Sequence, residues 1–404
     1  MRHLLTAKDE ARDAAHLRRL NLERVLAASM AREGPFTRAE LIEVTGLSAP
    51  TVGSLASHLI RTGLLTELGA GPSRGGRRPA RMEFNARHGF LGGIDLGPTR
   101  TRIGLANLRG ELLARRIVPT PHELEPTELL TSLAHDLRAI MREADVPASK
   151  LLVVGAGAPG AVDPSRGMVV ALAPNLKGWS EVPMASILRR ALGAAVVVDN
   201  DVNLAILGEH WKGAARGHDT CAFLSFGTGV GAGIMINGQL YQGFQFLAGE
   251  IGLMCMGPQY VGTDFGPHGC LETIVGLGAL KQRWQPERSD REEWLSDLFR
   301  AAESGDCVAQ QAVDELGTFV GMAAANVCSV LDPSLIVLGG AVIAQGEPLV
   351  ERVRRVVQRI VPTPPPIVAS SLDKDAPLWG SLLLASTEAR ERLRHLLAHG
   401  RAAD

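Results

Sequence analysis

The sequence predicts an α/β protein of two lobes, preceded by a small and mainly helical N-terminal unit. An apolar strand, a glycine turn at Gly97 and a second strand follow residue 89. The same pattern recurs at the turn Gly227-Thr228-Gly229, and a third apolar strand at residues 335–343 also contains a pair of glycines. This repetition indicates a duplicated α/β fold with a cleft between its lobes. A plain structural hairpin would explain either turn taken alone.

The composition is that of a globular protein, because 46% of the 404 residues are hydrophobic and 21% are charged. This length favours two or three compact units. The net charge of −1 creates no overall positive field, so any nucleic-acid signal must be local. Residues 1–20 are too charged for a signal peptide, and no apolar run reaches the roughly 18 to 20 residues of a membrane span. Five scattered cysteines suit a reducing compartment, so we expect a cytoplasmic protein.

Three helices are predicted in the N-terminal unit. Apolar residues recur at helical spacing over residues 20–30. Thr37 and Glu40 have the spacing of a capping box, and the helix that they begin stops at Gly46. Ser48 then caps a third helix. Two short helices joined by a tight turn that contains glycine make a helix-turn-helix.

Two short alternating strands, LLTEL and ARMEF, flank a tip rich in glycine and arginine, which predicts a wing. The start of the third helix would enter the major groove of DNA, and the arginines of the tip would lie in the minor groove. The candidate DNA-binding residues are Ala49, Thr51, Ser54, Arg74, Arg77 and Arg78. The alternative is a compact three-helix packing unit beside a solvated arginine loop.

A buried strand at residues 195–198 runs into a helix that begins near Asn200. Asp199, Asn200 and Asp201 therefore lie at the carboxyl end of a strand, where open α/β sheets bind ligands. A carboxylate there could take the proton of a hydroxyl that attacks a phosphoryl group. Capping of the helix by Asp199 or Asn200 is the structural alternative, and it leaves Asp201 free.

The ordered motifs GIDLGPT, VDNDVN, GTGVGAG, GEIG and GCLE, behind a helix-turn-helix, resemble the ROK family of repressors and sugar kinases over nearly the whole chain. The resemblance implies a two-lobed, actin-like (ribonuclease H-like) ATPase fold with a sugar in its cleft. It divides the chain into a DNA-binding domain at 1–88, lobes at 89–200 and 201–375, and a C-terminal helix at 376–404 that packs back on the first lobe. Members with a winged helix are sugar-responsive regulators, so it also implies a homodimer or homotetramer on a palindromic operator.

The same resemblance assigns residues to the cleft. Sugar contacts are expected from Gly160, Asn175, Asn200, Asp201, Glu250 and Glu272, and Asp201 is the catalytic base in kinase members. The two glycine turns correspond to a nucleotide-phosphate site made of Asp95, Gly97, Thr99, Gly227, Thr228 and Gly229. Pro98 removes one backbone donor from the first turn, so we expect weak phosphate binding and leave ATP binding open.

The segment 249–272 keeps the frame of the family's zinc loop but loses most of its ligands. The four ligand positions are Leu253, Thr263, Phe265 and Cys270. Leu and Phe have no lone pair for a metal, so we expect no zinc and no other cofactor, with Leu253 and Phe265 packing in its place. A replacement set of Cys255, Asp264, His268 and Cys270 is the alternative.

These features predict a sugar-responsive DNA-binding regulator that acts without a membrane. An ATP-dependent sugar kinase with an accessory DNA-binding domain is the alternative. A third possibility is a DNA-binding protein with a vestigial cleft. The sequence names neither the sugar nor the operator.

Overall fold

The computed structural model describes residues 7–70, 80–171, 173, 176–284 and 293–399. Its N-terminal unit consists of three helices and a small antiparallel sheet, in the strand order β1-β3-β2. These elements are α1 (Ala7–Ala31), β1 (Phe36–Thr37), α2 (Arg38–Thr45), α3 (Ala49–Arg61), β2 (Leu65–Ala70) and β3 (Ala80–Phe84). The helix predicted at residues 20–30 is the second half of α1.

The predicted caps of α2 and α3 are confirmed. The Thr37 side chain accepts a hydrogen bond from the Glu40 amide, and the Glu40 carboxylate accepts one from the Thr37 amide at 2.7 Å. Gly46 ends α2 at a φ of +67°, a backbone conformation that favours glycine. Ser48 accepts from the amide of Thr51 at the start of α3. The turn between the two helices is therefore built from local hydrogen bonds that the sequence specifies.

A five-stranded mixed sheet follows, in the order β10-β7-β4-β5-β6. Its strands are β4 (Phe90–Leu96), β5 (Arg100–Asn107), β6 (Leu112–Pro119), β7 (Leu151–Ala158) and β10 (Ala195–Asn200). A two-stranded ribbon is formed by β8 (Ala161–Asp163) and β9 (Met168–Ala171). The helices are α4 (Pro126–Glu143), α5 (Met184–Leu192) and α6 (Asp201–Lys212).

The second five-stranded sheet has the order β13-β12-β11-β14-β15. Its strands are β11 (Cys221–Phe226), β12 (Val230–Ile236), β13 (Gln239–Leu240), β14 (Leu335–Gly339) and β15 (Ile367–Ala369). The helices are α7 (Cys270–Val275), α8 (Leu277–Trp284), α9 (Trp294–Glu303), α10 (Cys307–Leu331), α11 (Glu347–Ile360) and α12 (Ala376–His399). Each sheet has three antiparallel strands continued by two parallel ones, so the predicted repetition is confirmed. The predicted limits of the two lobes remain predictions.

The C-terminal helix α12 is packed at backbone distance against the first sheet and α6. It contacts β4, β7 and α6. A Cβ placed on Gly380 would lie 1.8 Å from the carbonyl oxygen of Leu204, and one on Gly208 would lie 2.2 Å from that of Ala376. These helices approach so closely only because both positions lack a side chain.

One apolar core joins the N-terminal unit to the α/β domain. Leu22 and Val25 of α1 are buried in the same cluster as Leu382 and Leu393 of α12. The Arg109 guanidinium donates to the carbonyl of Met30 at 2.9 Å, at the end of α1. The two parts of the chain are therefore packed against each other and do not form separate cores. No helix in the described ranges is long and apolar enough to cross a membrane.

The contact of α12 with α6 gives a stability prediction. We expect Gly380→Ala to lower the free energy of unfolding by about 1 to 3 kcal/mol, because the new methyl group overpacks against the Leu204 backbone. The measurement is urea unfolding of the full chain. Gly278→Ala in α8 is the matched control, since a Cβ there meets nothing within 4 Å. Equal stability of Gly380→Ala and the wild type would mean that the two helices are not held at this distance.

Candidate functional site

A cavity of about 310 Å³ lies between the two sheets, and both predicted glycine turns line it. It gathers every predicted cleft residue that the structure describes. These are Asp95, Gly97, Thr99, Gly160, Asn200, Asp201, Gly227, Thr228, Gly229, Glu250 and Glu272. Asn175 lies outside the described residues. Residues from distant parts of the sequence thus meet at one site.

The junction of β10 and α6 places the first group of polar side chains. Asn200 caps α6, because its Oδ1 accepts from the amides of Val202 at 2.8 Å and Asn203 at 3.1 Å. Its Nδ2 donates to the Gly160 carbonyl at 2.9 Å. The structural alternative raised for this segment is therefore correct for Asn200. Much of its hydrogen-bonding capacity is already used, and its role as a sugar contact stays a prediction.

Asp199 holds neighbouring parts of the site together and does not line the cavity itself. Its buried carboxylate accepts from the Asn203 side chain at 2.9 Å and from the Gln242 side chain at 2.7 Å. Gln242 lies in the loop between β13 and Glu250, so this bond ties that loop to the end of β10. Gln242 was not predicted from the sequence, because the residues around it do not indicate a contact with a distant strand.

Asp201 and Glu250 are two partly buried carboxylates that line the cavity. Asp201 accepts from the Val202 amide at 2.9 Å, and burial raises its pKa to about 6. Burial, with repulsion from Asp201 and Glu272, raises the pKa of Glu250 to about 7. Both groups are acceptors without a cationic partner among the described residues, so the cavity favours a ligand that donates hydrogen bonds.

Backbone packing fixes the position of Glu250. The preceding Gly249 has a φ of +89°, and a Cβ there would lie 1.9 Å from the Ala232 carbonyl oxygen. Its own carbonyl accepts from the Ala232 amide at 2.6 Å. The glycine of the GEIG motif is therefore required by its close contact with β12, and this contact presents Glu250 to the cavity.

Glu272, which also lines the cavity, is held at both carboxylate oxygens. Oε2 accepts from the amide of Val230, the residue that follows the second glycine turn, at 2.8 Å. Oε1 lies 2.6 Å from Nδ1 of His268, which also lines the cavity. Glu272 thus connects the second turn to the zinc-like loop.

An arginine that was not predicted from the sequence, Arg102, also lines the cavity beside the first glycine turn. Arg102 lies 3.4 Å from Asp95 and 3.6 Å from Asp375. Burial and repulsion from Asp201 raise the pKa of Asp95 to about 7 in spite of this arginine. This ion pair could have been predicted from the hairpin, because Asp95 and Arg102 are directly opposite in the antiparallel register around Gly97.

The zinc-like loop offers a poor set of metal ligands. Leu253 and Phe265 carry no donor atom, and Thr263 is exposed. Phe265 packs near Tyr260, with ring centroids 6.1 Å apart, but Leu253 is 47% exposed. The predicted packing role therefore holds for Phe265 and is wrong for Leu253, whose side chain faces the cavity and solvent instead.

The four side chains of the replacement metal set are not arranged around a common point either. Cys255 and Asp264 interact with backbone groups of their own turns, while His268 is bonded to Glu272. No group of three His, Cys, Asp or Glu side chains within the described ranges is placed to hold a metal ion. Absence of a metal cofactor remains a prediction.

The candidate DNA-binding residues are only partly described. Ala49 and Ser54 are exposed on α3, whereas Thr51 is half-buried and its hydroxyl lies 2.8 Å from that of Ser48. Arg74, Arg77 and Arg78 lie outside the described residues. Of the three candidates on α3, two are therefore exposed.

The fold and the cavity define a protein of two similarly built α/β lobes with a cleft rich in carboxylates. The ROK family model matches residues 91–388, and the chain belongs to the ROK family. The xylose repressor of Caldicellulosiruptor bescii is 31% identical over 335 residues, which are 80% of this chain and 84% of that protein.

Two solved structures are similar to the chain. A ROK family transcriptional regulator, a homolog of the E. coli MLC protein, has a TM-score of 0.76 at 24% identity and covers 95% of this chain and 99% of its own. At that identity, the likeness shows the fold alone. A ROK family glucokinase from Streptomyces griseus, in complex with glucose and AMPPNP, has a TM-score of 0.61 at 30% identity. It covers 74% of this chain and 100% of its own.

The raised pKa of Glu250 predicts a pH-dependent stability. The folded protein holds this proton more tightly than the unfolded chain between pH 4.5 and about 7, so the wild type loses stability as the pH rises through that window. We expect Glu250→Gln to be more stable than the wild type by about 1 to 3 kcal/mol at pH 8, and equally stable at pH 4.

Urea unfolding of both proteins at the two pH values measures this difference. Glu123→Gln is the control, because Glu123 is an exposed carboxylate that does not line the cavity. A stability difference for Glu250→Gln that does not change with pH would contradict the prediction.

Proposed function

We propose that this protein is a sugar-responsive, DNA-binding transcriptional regulator, most simply a repressor of carbohydrate metabolism. The observation that carries the proposal is the shared core of an N-terminal helix-turn-helix-like unit and an α/β domain whose cleft presents carboxylates. Similarity to a xylose repressor over 80% of the chain supports it. Carboxylates suit a sugar, because each accepts the hydrogen bonds of hydroxyl groups.

The N-terminal unit supports DNA binding by its arrangement. We infer that α2 and α3 form a helix-turn-helix, that β2 and β3 form a wing, and that the arginine-rich tip between these strands contacts the minor groove. The start of α3 carries small side chains, so sequence readout by Ala49, Thr51 and Ser54 would be modest. A homodimer or homotetramer on a palindromic operator is the simplest assembly for such a unit.

The helix α12 offers a route from the cleft to the DNA-binding unit. Pro377 at its start lines the cavity. Near its other end, Arg394 lies 3.1 Å from Glu23 of α1, and Leu393 is buried in the core shared with α1. Its 24 residues span about 36 Å at 1.5 Å per residue. A sugar that favours one arrangement of the lobes would therefore also bias the position of α1.

A sugar kinase is the second candidate, and two observations favour it. Asp201 is placed as a general base would be, at the start of α6 and in the cavity. A glucokinase is 30% identical to the chain. Against it, Pro98 removes a donor from the first glycine turn, and Arg102 occupies the neighbourhood of Asp95, where a metal-bound nucleotide would need free acceptors.

A sugar screen with the Asp201→Asn variant separates the two candidates. For a regulator, we expect one of D-xylose, D-glucose or their N-acetylated relatives to raise the Tm of the wild type and change its affinity for operator DNA. Asp201→Asn should lose this response, because its amide cannot replace the charge-assisted bond to a hydroxyl. Asp314→Asn on α10 is the matched control, since Asp314 does not line the cavity.

For a sugar kinase, we expect the wild type to release ADP from ATP in the presence of one of the same sugars. The Asp201→Asn variant should then release no ADP. If no sugar changes either the Tm or the DNA affinity, the sugar-responsive function is wrong.

The wing gives a separate prediction. We expect Arg77→Ala to weaken operator binding by about fivefold or more, which is the loss of roughly one charge-assisted contact, and to leave sugar binding unaffected. The affinity is measured by fluorescence anisotropy with a genomic DNA fragment that the protein protects in footprinting. Arg300→Ala on α9 controls for overall charge. If Arg77→Ala binds as tightly as Arg300→Ala, the wing makes no such contact.

A further inference from the structure

We propose that His268 binds the sugar effector directly, and that Glu272 holds its imidazole in position to do so. The inference rests on the proposed sugar-binding function and adds a residue to that site. His268 lies in the short turn just before α7, in the loop whose spacing imitates a zinc site. It lines the same cavity as Asp201, Glu250 and Glu272.

The position of the ring is set by one strong contact. Nδ1 of His268 lies 2.6 Å from Oε1 of Glu272, four residues further along the chain. The other oxygen of Glu272 accepts from the Val230 amide at 2.8 Å, so the carboxylate cannot turn away without losing a bond. The imidazole is therefore anchored through Glu272 to the second glycine turn.

The backbone holds the same turn against the segment that presents Glu250. Gly269 has a φ of +79°, and a Cβ there would lie 2.6 Å from the Gly252 carbonyl oxygen and 2.7 Å from the Leu253 Cα. The residue after His268 thus packs directly on the turn after Glu250. Because both segments are in close backbone contact, the positions of His268 and Glu250 are fixed relative to each other.

The chemistry of the pair leaves one ring nitrogen for a ligand. An ionised carboxylate only accepts, so Nδ1 carries the proton that it donates to Glu272. Nε2 is left for a ligand hydroxyl, from which it accepts in the neutral ring and to which it donates in the protonated ring. Nε2 has no hydrogen-bond partner in the part of the chain that the structure describes. The side chain is 43% exposed, which leaves this edge of the ring accessible.

This wall of the cavity has few other candidates for the role. Leu253 lines it as well, but its side chain has no polar atom. The imidazole therefore supplies a hydrogen-bonding nitrogen in the cavity that Glu250 and Glu272 also line. A sugar that donates one hydroxyl to Nε2 and a neighbouring hydroxyl to a carboxylate satisfies both, and His268 selects for the sugar that carries a hydroxyl at that position.

Calorimetry with the full-length chain tests the proposal. The ligands are D-xylose, D-glucose and the monodeoxy derivatives of whichever sugar binds the wild type. We expect His268→Ala to raise the Kd at least about tenfold, which corresponds to one lost hydrogen bond, and His268→Gln to recover part of the affinity. One monodeoxy derivative should bind the wild type and His268→Ala equally, since it lacks the hydroxyl that His268 contacts.

His218→Ala is the control, because His218 also bonds through Nδ1, to Ser334 at 2.9 Å, but does not line the cavity. Sugar affinities of His268→Ala and His268→Gln within twofold of the wild type would overturn the inference and leave the proposed function standing. An equal loss for every deoxy derivative would also overturn it, since it indicates a structural role. No sugar binding by the wild type would overturn both. If His268→Ala does not fold, the sugar affinities of His268→Gln and the wild type are compared in the same way.

Discussion

The contact between α6 and α12 is the constraint on which the rest of the domain depends. Helix α6 carries Asp201 at its start and the fully buried Glu209 two turns later. The Glu209 carboxylate accepts from the amides of Ala214 at 2.6 Å and Leu372 at 3.0 Å, with further bonds from the hydroxyls of Ser370 and Ser371. One helix thus fixes both a cleft carboxylate and the segment that leads into α12.

The same contact explains how a small cleft can influence a distant surface. Glycines bring α12 within backbone distance of α6 and of β7, where a Cβ on Gly155 would lie 2.0 Å from the Ser381 carbonyl. Such an interface cannot deform gradually, because packed backbones have no flexible side chains between them to absorb a shift. A displacement of α6 would therefore move α12 as a whole, and α12 shares its apolar core with α1.

Local signals in the sequence predicted much of this fold. The capping box at Thr37, the strands around Gly97 and the repeated hairpins depend on neighbours in the chain, and each is present. Arg102 was not assigned, because its contact with Asp95 arises from the cross-strand register. His268 was named only in the alternative metal set, whereas in the structure it is bonded to Glu272. Leu253 was assigned wrongly, since the spacing of a motif does not show which of its side chains will be buried.

The electrostatics of the cavity favour sensing over phosphoryl transfer. Near the first glycine turn, Arg102 forms an internal ion cluster with Asp95 and Asp375. Asp201 and Glu250 line the same cavity, and burial raises the pKa of both carboxyl groups. A neutral polyhydroxylated ligand would donate hydrogen bonds to these carboxylates, while a phosphorylated sugar would add negative charge beside them. The free energy of sugar binding would then bias the lobes towards the arrangement that binds the sugar better.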